Sequence, residues 1–137
     1  CVATISAIPN PLLWWTAQIA VGVLVYWAIR RRDRIAGMIL LGVAAGWLPW
    51  FLYFRRTMFM FYAVAWQPFF ILAVVYVLQR VLREAADPQE LALRRGLVAG
   101  YLGLVLAVSV FYWPLWTGAT LPYSFWAAHS WLPATWR

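Results

Sequence analysis

Residues 46–68 read GWLPWFLYFRRTMFMFYAVAWQP. Two prolines, three tryptophans, four phenylalanines and two tyrosines surround an isolated Arg55-Arg56-Thr57. Long apolar runs continue on both sides, and the charged step between them is too short for a soluble loop. The stretch therefore reads as a tight hairpin between two membrane-spanning helices, with a small cationic site at its tip.

The composition around it supports lipid as the solvent. Of 137 residues 66% are hydrophobic and only 11% are charged, against about 25% charged in an ordinary soluble domain. All eleven basic residues are arginine. They punctuate apolar runs instead of gathering on one soluble face, which argues against nucleic-acid binding. Cys1 is the single cysteine, so an internal disulfide or a thiolate cluster is excluded. The chain opens on Cys, with no basic segment leading into a cleavable apolar core. The expectation is one membrane domain over 1–137 that forms part of a larger polytopic enzyme.

Outward from the hairpin, the chain divides into four apolar segments. Prolines 9 and 11 push their preceding residues out of helical geometry, so a first helix is expected over 12–29. Its 18 uncharged residues reach about 27 Å at 1.5 Å per residue, enough for a bilayer core. Arg30-Arg31-Arg32-Asp33-Arg34 then makes a compact basic loop. A second helix is expected over 35–54, with Gly42 and Gly46 at the spacing that permits close helix contact. Pro49 should bend it. A third is expected over 57–78, kinked at Pro68. A fourth is expected over 88–116, because Asp87-Pro88-Gln89-Glu90 has the residue types of a cap and an acidic first turn. Residues 117–137, rich in aromatics, suit a tail lying in the interface. The expected fold class is an all-α membrane protein, with four transmembrane helices and an interfacial C-terminal tail.

Charge sets the orientation. Loops 30–34 and 79–96 hold four arginines each, the hairpin tip two and the C-terminus one. The positive-inside rule places the two richer loops in the cytoplasm of a cell whose plasma membrane the chain crosses. Both chain ends and the 55–57 tip then face outward. All four acids, Asp33, Glu84, Asp87 and Glu90, fall in the inner loops. The outer face thus offers no carboxylate as a general base, and His129, the single histidine, has no companion ligands for a metal. No catalytic residue is expected within these residues.

Two readings of the tip stand side by side. Arg55, Arg56 and Thr57 precede a helix start, where free N–H groups favour an anion, so they suit a lipid phosphate. Trp47, Trp50, Phe59, Phe61 and Tyr62 would pack against a lipid chain or a sugar, and Gln67 would line a cavity. Alternatively the arginines only snorkel to ordinary headgroups and Gln67 is satisfied within the fold. At the level of function, the alternatives are a small four-helix transporter or channel subunit, or a structural assembly module.

Several marks resemble one family. They are Ile8-Pro9-Asn10-Pro11 followed by Trp14-Trp15, then Gly46-Trp47-Leu48-Pro49-Trp50-Phe51-Leu52 and Arg56-Thr57-Met58-Phe59-Met60-Phe61-Tyr62-Ala63. Tyr112-Trp113-Pro114 and Leu121-Pro122-Tyr123-Ser124 follow in order. Together the chain resembles the C-terminal four-helix membrane domain of bacterial protein O-mannosyltransferases. The resemblance implies part of a GT-C type glycosyltransferase moving mannose from polyprenyl-phosphate mannose to Ser or Thr of exported proteins. It implies no other cofactor, and a catalytic acid in an N-terminal half of the same protein. Arg56 matches the family pattern, whereas Arg55 departs from it.

Overall fold

The computed structural model describes residues 8–53, 60–120 and 122–129. Among them the regular structure is entirely helical. The α-helices are α1 (Pro11–Arg30), α2 (Arg34–Trp47), α3 (Gln67–Arg83), α4 (Pro88–Trp116) and the short α5 (Tyr123–His129). Two 3₁₀ segments, Leu48–Tyr53 and Met60–Ala65, flank the hairpin tip.

Three helices are long and apolar enough to cross a membrane: Pro11–Arg30, the stretch Arg34–Leu52, and Pro88–Trp116. The expected fourth span is not among them, because α3 has 17 residues, about 26 Å of helix. Prolines account for how the hairpin departs from the expected pair of continuous helices. Pro49 cannot donate a hydrogen bond, and the backbone tightens from α to 3₁₀ geometry at Leu48. Pro68 does not kink a helix that runs through it. It lies in the first turn of α3, where its missing N–H leaves nothing unsatisfied.

Helices α1, α2 and α3 pack together, and α4 touches α1 and α3 more sparsely. The core is built from small residues that let backbones approach: Ala17 and Ala20 of α1, Ala36 of α2, and Ala63 and Ala73 around α3. Leu24 is fully buried among them. At one end Trp14 meets Phe70 edge-on with ring centres 5.5 Å apart, and at the other Trp27 meets Tyr76 at 6.0 Å. The outer surface is apolar, with Ile19, Leu41, Leu52 and Leu106 all well exposed. Such a surface is stable against hydrocarbon, not water.

The glycines divide by what faces them. A methyl group at Gly42 would fall inside contact distance of the Phe69 ring, and one at Gly46 would come within 2.9 Å of Trp66 Cβ. The paired glycines of α2 therefore receive the start of α3. The stripe Gly96, Gly100 and Gly103 on α4 faces open space. Gly118 adopts the left-handed conformation (φ 66°), and Ala119 N–H returns to the Pro114 carbonyl at 3.2 Å, which ends α4.

Opposite the hairpin tip, charge closes the bundle. Arg32 turns the chain with φ 51°, and Asp33 then caps α2, its Oδ1 accepting from Ile35 and Ala36 N–H at 3.0 and 3.1 Å. Its Oδ2 accepts from the Tyr76 hydroxyl at 2.7 Å and from the Arg80 guanidinium. That guanidinium lies 5.0 Å from the Trp27 ring centre, and Glu84 bridges it to Arg31. On α4, Asp87 Oδ1 accepts from Glu90 N–H at 2.7 Å, the cap read from the sequence. Arg94 pairs with Glu90 and donates to the Val81 carbonyl of α3.

The Tyr76 hydroxyl, with the Ala36 N–H, Arg80 and the Ile35 N–H, holds the Asp33 carboxyl down to about 2, against a smaller opposing effect of burial. The stabilisation from a depressed carboxyl is complete above its unfolded pKa and disappears as pH falls through the folded value. Thermal unfolding in detergent should therefore show stability falling between about pH 4 and pH 2. Asp33→Asn, which keeps a capping side chain but removes the charge, should cost about 2 kcal/mol at neutral pH. Gly42→Ala should destabilise by about 1–3 kcal/mol through overpacking, partly recovered by Phe69→Leu. Gly100→Ala should stay within about 1 kcal/mol of the parent.

Candidate functional site

The site is built on Asn10. Between two prolines its backbone is held extended (φ −61°, ψ 112°), with Pro11 opening α1. From there Oδ1 accepts from Leu13 N–H at 3.1 Å and caps the helix. The amide nitrogen donates outward to α4, to the Val105 carbonyl at 2.9 Å and to Ser109 Oγ at 2.8 Å. Asn10 is only 8% exposed, so one side chain both starts α1 and straps α4 to it. Two further links follow the same seam. The Trp116 indole donates to the Ile8 carbonyl at 2.8 Å, and the Thr16 and Tyr101 hydroxyls meet at 2.6 Å. Thr16 also reaches the Leu12 carbonyl at 2.8 Å. With its proton given there, the Tyr101 hydroxyl is the donor between the two.

Beside this seam lies a cleft of about 710 Å³, within the range of small-molecule sites. One wall is the start of α1, from Ile8 to Ala17. The facing wall is Ala63, Val64, Gln67, Phe70 and Ile71, and Ser109 and Trp116 of α4 close the third side. The polar side chains on these walls belong to Asn10, Trp14, Gln67, Ser109 and Trp116, and among the described residues no carboxylate, thiol or imidazole lines it. The cleft is thus shape and mostly apolar surface.

The residues singled out in the sequence fall in different places. Arg55, Arg56, Thr57 and Phe59, with the side chain of Phe61, lie outside the described residues. Trp50 and Tyr62 stack at 4.5 Å, joining the two 3₁₀ segments that flank the tip. Trp47 is half exposed and meets Phe51 edge-on at 5.1 Å. Among the described members of the group, Gln67 lines the cleft. It is exposed, and no hydrogen bond joins it to another described residue. Asn10, Trp14, Ser109 and Trp116 were not singled out as site residues. An asparagine locked between prolines, followed by two tryptophans, was the available signal for the first two. Ser109 and Trp116 lie far from it in sequence and carry no local sign of the pairing.

Comparison with known proteins gives the site a context. Polyprenol-phosphate-mannose–protein mannosyltransferases match this chain along its entire length. The protein from Mycolicibacterium smegmatis is 32% identical over 138 aligned positions, covering 27% of that protein. That from Mycobacterium tuberculosis is 35% identical over 144 positions and that from Corynebacterium glutamicum 30% over 142, each covering 26% of the relative. No family model and no solved structure matches. The chain is thus a homologue, over its whole length, of about a quarter of these mannosyltransferases.

The Asn10 strap has a measurable signature. Asn10→Ala removes a helix cap and both bonds to the part-buried Val105 carbonyl and Ser109 hydroxyl of α4, and should lower unfolding stability by about 2–3 kcal/mol. Ser109→Ala should cost about 1 kcal/mol. In the double variant the two effects should fall short of their sum, since both break the same bond.

Proposed function

We propose that this chain is the C-terminal membrane region of a protein O-mannosyltransferase. In this reading it helps to bind the polyprenyl-phosphate-mannose donor, from which mannose passes to Ser or Thr of exported proteins. The observation that carries the reading is the homology along the whole chain to proteins named for that donor and for mannosyl transfer to protein. It is a multi-pass segment of a bacterial plasma membrane, in which α3 with the preceding Met60–Ala65 segment completes a fourth span. The two arginine-rich loops face the cytoplasm, and the 55–57 tip, the chain ends and the cleft face outward.

The division of labour follows from charge. Transfer joins the acceptor hydroxyl oxygen to the sugar, takes the hydroxyl proton to a base, and releases polyprenyl phosphate. The acids of this chain sit in the loops assigned to the cytoplasm, so the base belongs to the N-terminal half of the same protein. What this region contributes is binding. Arg56, supported by Arg55 and Thr57, meets the donor phosphate with charge-assisted hydrogen bonds. The aromatic residues around the tip, Trp47, Trp50, Phe59, Phe61 and Tyr62, shape the hairpin and pack against lipid or sugar. Of these, the contact between Trp50 and Tyr62 ties the two 3₁₀ segments to each other.

Arg56→Ala in the complete enzyme should weaken donor binding at least roughly tenfold, the worth of one hydrogen bond to a charged group, while protein abundance in the membrane stays at the parent level. Unchanged donor affinity and turnover would sink the reading of the tip.

A further inference from the structure

The walls of the cleft decide what kind of molecule suits it. Asn10 spends both amide hydrogens and Oδ1 inside the fold, and Trp116 spends its N–H on Ile8. What remains facing the cleft is largely carbon, from Leu13, Trp14, Val64, Phe70 and Ile71. A sugar placed here would lose hydrogen bonds to water that these walls do not replace. A hydrocarbon chain would lose none. The rim is also open to surrounding lipid, since Val64 is 70% and Ile71 42% exposed. Among the polar groups of the lining, the amide of Gln67, exposed at the first residue of α3, has no hydrogen bond to another described residue.

We propose that the cleft holds the first isoprene units of a polyprenol chain, with the Gln67 amide donating to the oxygen atoms at its phosphate end. This rests on the donor reading above and adds to it a second contact, separate in sequence from the 55–57 tip. An isoprenoid suits the cleft better than a saturated acyl chain. Its double bonds are rigid, so fixing it against the walls costs less conformational freedom. The hydrogen-bonded seam between α1 and α4 holds one wall in shape when the cleft is empty. The chain then meets a preformed surface and does not have to order it.

The test uses the complete enzyme and two mannosyl donors, one with a long polyprenyl chain and one with a single short prenyl group. Val64→Trp and Ile71→Trp fill the cleft from its exposed rim, so neither change strains the core. Each should raise KM for the long-chain donor roughly tenfold, by displacing one or two methylene-sized contacts, and should erase most of the preference for long over short chains. Leu106→Trp on the lipid-facing side of α4 should leave that preference intact. Arg56→Ala should weaken both donors together and keep the preference, so a failure of the tip and a failure of the cleft read differently. Gln67→Ala should raise KM for the long-chain donor with kcat retained. The proposal is overturned if the cleft-filling variants leave the preference unchanged. That result would mean that an ordinary phospholipid or another helix of the protein occupies the cleft. Equal weakening of both donors would overturn it too, by making the cleft a headgroup or structural site.

Discussion

In hydrocarbon a polar group has no water to fall back on, and every donor or acceptor must find its partner inside the protein. Asn10 shows how much structure follows from that constraint. Its position between two prolines aims the side chain at the start of α1 and at α4 together, and its three hydrogen bonds use the whole amide. Because α4 makes sparse contact with the bundle and its glycine stripe meets nothing among the described residues, these bonds, with Thr16–Tyr101, Trp116–Ile8 and the Arg94 link to α3, do much to place it. The cleft exists because α4 is held by polar links at its edge and not by packing across its face.

The opposite end applies the same economy with charge. Asp33 caps α2, and the same carboxylate anchors Tyr76 and Arg80 of α3, while Trp27 of α1 covers the guanidinium. Three helices meet at one acid. A lone buried carboxylate would be costly, but this one is surrounded by donors, which is why its proton is lost so readily. The acids of this end are accounted for by capping and pairing: Asp33 and Asp87 cap helices, and Glu84 and Glu90 pair with arginines.

In the proposed arrangement function gathers at the hairpin end, in two parts of different character. The tip carries the cations suited to a phosphate. The cleft carries the apolar walls suited to a chain, with the exposed amide of Gln67 in its lining. A lipid-linked sugar is itself divided in this way, into a charged head and a hydrocarbon tail. The chain spans about a quarter of the mannosyltransferases it is related to, and the acid–base chemistry of transfer falls to the remainder in the proposed arrangement.

Helical class, membrane solvent, the Asp87 cap and the family relationship were all legible in residue order, because each depends on runs, periodicity or neighbours in the chain. Gly42 and Gly46 were readable as a close-contact face for the same reason. The hairpin was read less well. In residue order Pro49 and Pro68 read as bends in continuous helices, whereas the chain changes to 3₁₀ turns at the first and begins a new helix at the second. A proline forbids one hydrogen bond, but its neighbours in space choose among the geometries left. The cleft was not readable at all. Its walls come from residues 8–17, 63–71 and 109–116, and the bond that joins Asn10 to Ser109 crosses 99 positions of sequence. Local propensity determines which segments are helices; which polar atoms meet across them is decided only when the helices pack.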